Sequence, residues 1–205
     1  MTRGVRWQGD EHEVIQLAGG TRATVRAVRP DDKELLARGM AHLSPQSRWS
    51  RFHYSRGELS PVELTYLTEV DGVDHFAIGA VSDEGEGLGV ARFVRLEPGG
   101  EVAEAAVAVV DEVQNQGLGR ALLERLVAAA RERGVTRFRA EVLADNAPML
   151  ALMRHVGDVV ERTEEPGVIV VELPLPEPAP AGPGGRMAEL FRMVAQGLLR
   201  IRPRR

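Results

Sequence analysis

The sequence predicts a mixed α/β (α+β) protein, a mixed central sheet with helices on its faces. Two observations carry this. Short runs rich in alternating or β-branched apolar residues recur from EVIQL to VIVVELPL, and helical patterns interrupt them in the order β–α–α–α–β–β–β–α–β–α–β–β. Composition agrees: 43% hydrophobic and 27% charged residues are ordinary for a globular domain, and no apolar run approaches a membrane span.

EVIQLAGGTRATVRAVRP reads as a hairpin around Gly19-Gly20. PDDKELLARGMAHLS begins with Pro, two Asp and a Glu, which suits the positive end of a helix dipole. SPQSRWSRFHY and SPVELTYLTEV each open on Ser-Pro and read as short helices. DHFAIGAVS and GLGVARFVRL are strands around the turn DEGEG, and EVAEAAVAVVD is a third strand of small and β-branched residues. A long helix follows, with Leu118, Leu122, Leu126 and Ala129 at helical spacing. TRFRAEVLA alternates as a strand, APMLALMRHVG is a helix expected to close in a left-handed cap at Gly157, and VVERTE with VIVVELPL forms a last hairpin.

The expected organisation is an N-terminal extension and first hairpin strand over 1–20, a domain over 21–175, a Pro/Gly linker over 176–185 and a basic amphipathic helix over 186–205. Six arginines and one glutamate give 186–205 a charge of +5, leaving −9 on the preceding 185 residues. An acidic body disfavours nucleic acid as a ligand and attracts cationic partners. With no cysteine there is no disulfide and no thiolate nucleophile, and the N-terminus has no apolar signal region, so a cytoplasmic protein is expected. The tail helix is expected to dock on its own domain or on a protein partner, with a membrane surface the less favoured reading.

The most informative stretch is VVDEVQNQGLGRALLERLVAAARERG. A helix start presents unpaired N–H groups and a positive dipole end, and glycines at 117 and 119 let backbone approach an anion. Gln114, Asn115, Gln116, Gly117, Leu118, Gly119 and Arg120 therefore read as a diphosphate cradle. A P-loop would need Gly-Lys-Ser/Thr where Gly-Arg-Ala stands, and a dinucleotide fingerprint would need a third Gly where Leu122 stands.

Gln-x-x-Gly-x-Gly after a small-residue strand, followed one strand later by Asn146 leading a short helix, resembles the GCN5-related N-acetyltransferase (GNAT) superfamily. The resemblance runs from about Gly20 to Leu175. The segment LSPQSRWSRFHY…ELSPVELTYLTEVDGVDHFAIGAV is similar to the catalytic domain of bacterial Pat-type protein lysine acetyltransferases. The resemblance implies a GNAT fold, a mixed, mostly antiparallel central sheet with flanking helices and a splayed cleft for acetyl-CoA as acyl donor; no metal is expected, since cysteine is absent and the histidines lack ligand spacing. Pantetheine would pair with backbone around Val107, Ala108 and Val109, loop 114–120 would hold the pyrophosphate, and Asn146 would bind the pantetheine arm. It implies an N-acetyltransferase acting on an amine, either a protein lysine or a small molecule; a third reading is a non-catalytic acyl-CoA sensor.

Transfer to an amine needs that amine neutral, and a lysine ammonium with a pKa of about 10.4 is protonated at pH 7. A carboxylate can serve as general base. Glu104 lies ten residues before Gln114, where Pat-type enzymes carry their catalytic Glu, and its apolar neighbours are expected to desolvate it; alternatively it begins the strand facing solvent. Glu141, on the neighbouring strand, is the second candidate. Asp111 and Glu112 are expected to orient the turn rather than bind an anion. Many relatives carry a proton-donating Tyr seven residues after the Asn; here that position is Met153. His155, His53 and His75 lack metal-ligand spacing and are expected to be structural. Arg48, Arg51 and Phe52 match the Pat-type segment and would shape the acceptor mouth; alternatively Trp49 and Phe52 are plain core residues.

Overall fold

The computed structural model describes Trp7 and residues 10–44 and 58–176. The expected helix SPQSRWSRFHY, the linker beyond Pro176 and the tail helix 186–205 lie outside the described residues. Eight strands, β1 His12–Gln16, β2 Arg22–Ala27, β3 His75–Ser82, β4 Gly87–Arg95, β5 Val102–Val109, β6 Arg137–Leu143, β7 Val160–Glu165 and β8 Val168–Pro174, form one sheet in the order β1-β2-β3-β4-β5-β6-β8-β7. Every pairing is antiparallel except β5 with β6, which the helical crossover between them makes parallel. Residues 1–175 cluster as one unit and 176–205 as another. The first strand thus belongs to the sheet, and Trp7, only 3% exposed, belongs to its core.

Strand alternation divides the sheet into two faces. One presents Val25, Ile78, Ala91, Phe93, Ala103, Ala105, Phe138 and Val171 to the main core. Helices α3 (Leu118–Glu132) and α4 (Ala147–Val156) contribute to that core through Leu118, Leu122, Leu126, Leu150 and Met153. The expected stripe on α3 is buried throughout. The opposite face carries α1 (Lys33–Ala41) and α2 (Pro61–Thr68), whose Met40 and Leu67 form a smaller cluster with Leu43 and Leu59.

Local chemistry accounts for the helix starts. A 3-10 turn at Pro30–Asp32 leads into α1, and Asp32 accepts from the Arg29 backbone N–H at 2.8 Å and, bidentately, from Arg26. At α2, Ser60 accepts from the Glu63 N–H while Glu63 returns a bond to the Ser60 N–H, a reciprocal cap with Pro61 in the first turn. The end of α4 departs from expectation. Gly157 is extended (φ −175°, ψ −178°), not left-handed. Its requirement is space: a Cβ there would stand 3.1 Å from Leu173 Cδ1.

Candidate active site

β5 and β6 pair only from Val102–Glu104 against Arg137–Arg139 and then part. From Ala105 onward β5 keeps β4 on one side and has no strand on the other. The Val110 N–H donates to Leu88 O at 3.0 Å, which sets the alternation: backbone groups of Ala108 turn toward β4, and those of Ala105, Val107 and Val109 toward the gap. The fork opens a cleft of about 790 Å³. Glu104 to Val109 form one wall, Ala140 to Val142 the other, and loop 114–120 and the start of α4 close the ends.

The loop is built to offer donors. Asn115 takes φ +59° and Gly117 φ +90°, left-handed geometry that Asn and Gly tolerate best. Gly117 is the N-cap of α3 and no side chain caps the helix. The first intrahelical bond runs from the Ala121 N–H to Gly117 O, so the N–H groups of Leu118, Gly119 and Arg120 precede the ladder. Gly119 faces the cleft, and a Cβ there would meet only Leu152 and Val109 methyls, at an ordinary 3.6 Å. The protein itself leaves room for a methyl group at this position.

The seven loop residues expected as a cradle divide into two groups. Gln114, Asn115, Gly117, Gly119 and Arg120 line the cleft, whereas Gln116 and Leu118 do not. Leu118 is 1% exposed in the core. Gln116 turns toward the β1–β2 turn, where its O accepts from the Ala18 N–H and its side chain fills the space a Cβ on Gly19 would need. Both can contribute to a cradle through backbone only. The Gln114 amide donates to Val109 O (3.1 Å) and Asp111 Oδ1 (3.0 Å), bracing the turn, and Glu112 pairs with His42 at 3.2 Å at the end of α1. Asp111 and Glu112 thus orient the loop.

Asn146 is the N-cap of α4. Its Oδ1 accepts from the Met149 N–H at 3.2 Å, and its Nδ2 has no partner among the described residues and borders the cleft. Glu104 and Glu141 both line the cleft and both occupy the α1/α2 face of the sheet. Glu104 is exposed, so the desolvation expected from its apolar neighbours is not found. The reason is alternation: Ala103 and Ala105 point to the opposite face. Glu141 is exposed too and lies 3.7 Å from Arg139. Asp145 adds a third carboxylate, while Arg120 at the loop end is paired with Glu124 at 2.8 Å.

Met153 is fully buried, so its position faces the core rather than the cleft, and His155 lies 3.9 Å from Glu124 outside the cleft lining. Met149 and Leu152 line the cleft and lie outside the expected site, although successive steps of three from Asn146 to Met149 and from Met149 to Leu152 make each a neighbour of the last on the helix. Leu43, from the end of α1, also lines it and has no local signal. Among the described residues no cluster of His, Asp and Glu has the arrangement of a metal site, and no helix is long and apolar enough to cross a membrane.

Known proteins share this architecture. Residues 38–157 match the model of the Acetyltransferase (GNAT) family. The chain is 35% identical over 163 residues to the acetyltransferase Pat of Mycolicibacterium smegmatis, covering 79% of this chain and 48% of that protein, so it spans about half the length of that relative. It is 29% identical over 167 residues to an acetyltransferase of Pseudomonas aeruginosa, covering 80% of this chain and 89% of the other. The crystal structure of the GNAT domain of S. lividans PAT superposes with a TM-score of 0.74 at 34% identity, covering 80% of this chain and 97% of that one. With the matching model spanning more than half of the sequence and the fork, helix start and Asn146 in one cleft, the chain belongs to the GNAT acetyltransferase family.

Proposed function

We propose that the protein is an acetyl-CoA-dependent N-acetyltransferase whose acceptor is a lysine side chain of another protein. The observation that carries the reading is the fork: one cleft joins an unpaired strand edge, an uncapped helix start and an exposed carboxylate. These fit the donor part by part. A pyrophosphate suits the N–H groups of Leu118, Gly119 and Arg120, and the amides of pantetheine suit the open backbone groups of Val107, the Val109 N–H and the Asn146 Nδ2. Ala108, whose backbone turns to β4, contributes its methyl to the wall.

Acetyl-CoA supplies a thioester carbonyl as electrophile. Glu104 takes the proton of the incoming amine, directly or through water, and Glu141 on the facing strand keeps that part of the cleft acidic, which attracts an ammonium. Water returns the proton to the departing thiolate, because Met153 is buried away from the cleft. Likeness to Pat supports a protein lysine over a small amine as acceptor.

The test is transfer of radiolabel from acetyl-CoA in a cell lysate, resolved into protein and small-molecule fractions. Label in specific protein bands is expected. Label confined to small molecules would make the protein a small-amine acetyltransferase, and tight acetyl-CoA binding without any transfer would make it a sensor. Glu104→Gln is expected to lower kcat about 10²–10³-fold while acetyl-CoA affinity, measured by calorimetry, stays within about threefold.

A further inference from the structure

A second cavity lies on the α1/α2 face of the sheet, with a volume of about 80 Å³. Its described walls are mostly aliphatic, with Leu36 and Met40 of α1, Leu67 of α2 and Val90 of β4 among them. Ala108 and Leu43 line both this cavity and the cleft, so the two spaces adjoin at these residues. Glycines at 79 and 87 hold part of its floor free of side chains.

Three charged residues border the cavity, and each is engaged. Arg26 and Asp32 bind each other bidentately at 2.7 and 2.6 Å. Arg92 donates to His75 Nε2 at 3.1 Å and to Leu67 O at 3.2 Å. No described wall residue offers an uncommitted carboxylate to an ammonium, so the cavity is unsuited to the acceptor lysine. Nor is an uncommitted cation at hand for an acyl group ending in a carboxylate.

We propose that this cavity is an acyl-chain pocket and that the enzyme transfers short unbranched aliphatic acyl groups beyond acetyl, with butyryl as the best fit. The inference rests on the reading of the cleft as the acyl-CoA site. At about 10–15 Å³ of such space for each water-sized group, 80 Å³ accommodates the two carbons by which butyryl exceeds acetyl. The reaction balances as in acetyl transfer. The amine nitrogen bonds to the acyl carbonyl carbon, the carbon–sulfur bond breaks, and CoA leaves as a thiolate that takes up the proton the amine loses.

The experiment measures calorimetric affinity and initial rates with acetyl-, butyryl-, octanoyl- and succinyl-CoA, for the full chain and for Val90→Phe and Val90→Ala. Val90 stands beside Ala108 in the sheet and faces the cavity but is not a cleft residue. Butyryl-CoA is expected to bind up to about tenfold more tightly than acetyl-CoA, from two buried methylenes, with succinyl- and octanoyl-CoA weaker than butyryl-CoA. Val90→Phe should abolish the preference for butyryl while acetyl-CoA affinity stays within about threefold, and Val90→Ala should shift the optimum to longer chains. Opposite shifts from one position cannot come from a damaged fold. Butyryl-CoA binding tenfold weaker than acetyl-CoA, succinyl-CoA binding as well as butyryl-CoA, or an unchanged chain-length profile in both variants would overturn the pocket and leave acetyl transfer standing. Failure of every acyl-CoA to bind would overturn the cleft reading and the pocket together.

Discussion

At the scale of single residues, His75 shows how burial fixes a proton. It is 8% exposed, and its Nε2 faces Arg92, which is 5% exposed. A guanidinium only donates, so Nε2 accepts and the imidazole is neutral with its proton on Nδ1. Burial, and then the Arg92 charge, push its pKa down from 6.5 to about 4, against the opposing pull of Asp71. In an unfolded chain the group titrates near 6.5. Between pH 6.5 and about 4 the unfolded state therefore binds a proton that the folded state refuses, and stability falls as pH falls. The full difference is roughly 3 kcal/mol. Asp32 and Asp71 are also held below the ordinary carboxylate range despite burial, Asp32 chiefly by Arg26 and Asp71 by three backbone N–H donors. Their contribution is lost only at lower pH, as they protonate. Urea unfolding at pH 7 and 4.5 should thus show a drop in the native protein that His75→Gln, which keeps an acceptor for Arg92, makes smaller. Equal drops in the two proteins would rule out His75 as the source.

At the scale of elements, the two glycines at the start of α3 do different work, and only one difference was legible in the sequence. Gly117 has φ +90°, so Ala there is strained whatever the ligand. Gly119 is helical and has room for a methyl. Gly119→Ala should keep or raise the thermal midpoint, since Ala is favoured over Gly within a helix by about 1 kcal/mol. It should also weaken acetyl-CoA binding tenfold or more by filling the cleft. Gly117→Ala should lower both. A melt and a titration of each variant separate the cases; a Gly119→Ala protein with unchanged affinity would mean that the backbone at 119 does not approach the donor. The sequence displayed the Gly-x-Gly spacing, the stripe of α3 and the Asn146 cap because each is set within a few neighbouring residues. It did not display the inward turn of Gln116, which depends on Ala18 and Gly19 almost a hundred residues earlier. Nor did it show that β8 inserts between β6 and β7, or that Glu104 is exposed. Those follow from long-range register, which fixes which side of a strand meets a core.

At the scale of the molecule, the boundary of the folding unit can be argued from where burial stops. Every described residue lining the cleft falls between Leu43 and Leu152, and the last strand ends at Pro174. Leu173 is 0% and Leu175 5% exposed, and the Leu175 N–H donates to Thr136 O at 2.8 Å, so the core reaches Leu175. The chain divides into its two compact units at the same point. A chain ending at Pro176 should therefore keep its thermal midpoint within about 2 °C and its acetyl-CoA affinity within about twofold, although its formal charge changes from −4 to −8. A chain ending at Glu172 removes two buried leucines and the end of β8, where each large-to-small core loss costs about 2–5 kcal/mol, and should be largely unfolded or aggregated at 37 °C. Thermal melts and titrations on the two truncated chains make the comparison. If the Pro176 chain melted early or lost acetyl-CoA, residues 177–205 would be part of the working unit, and the division at Leu175 would be geometric rather than energetic.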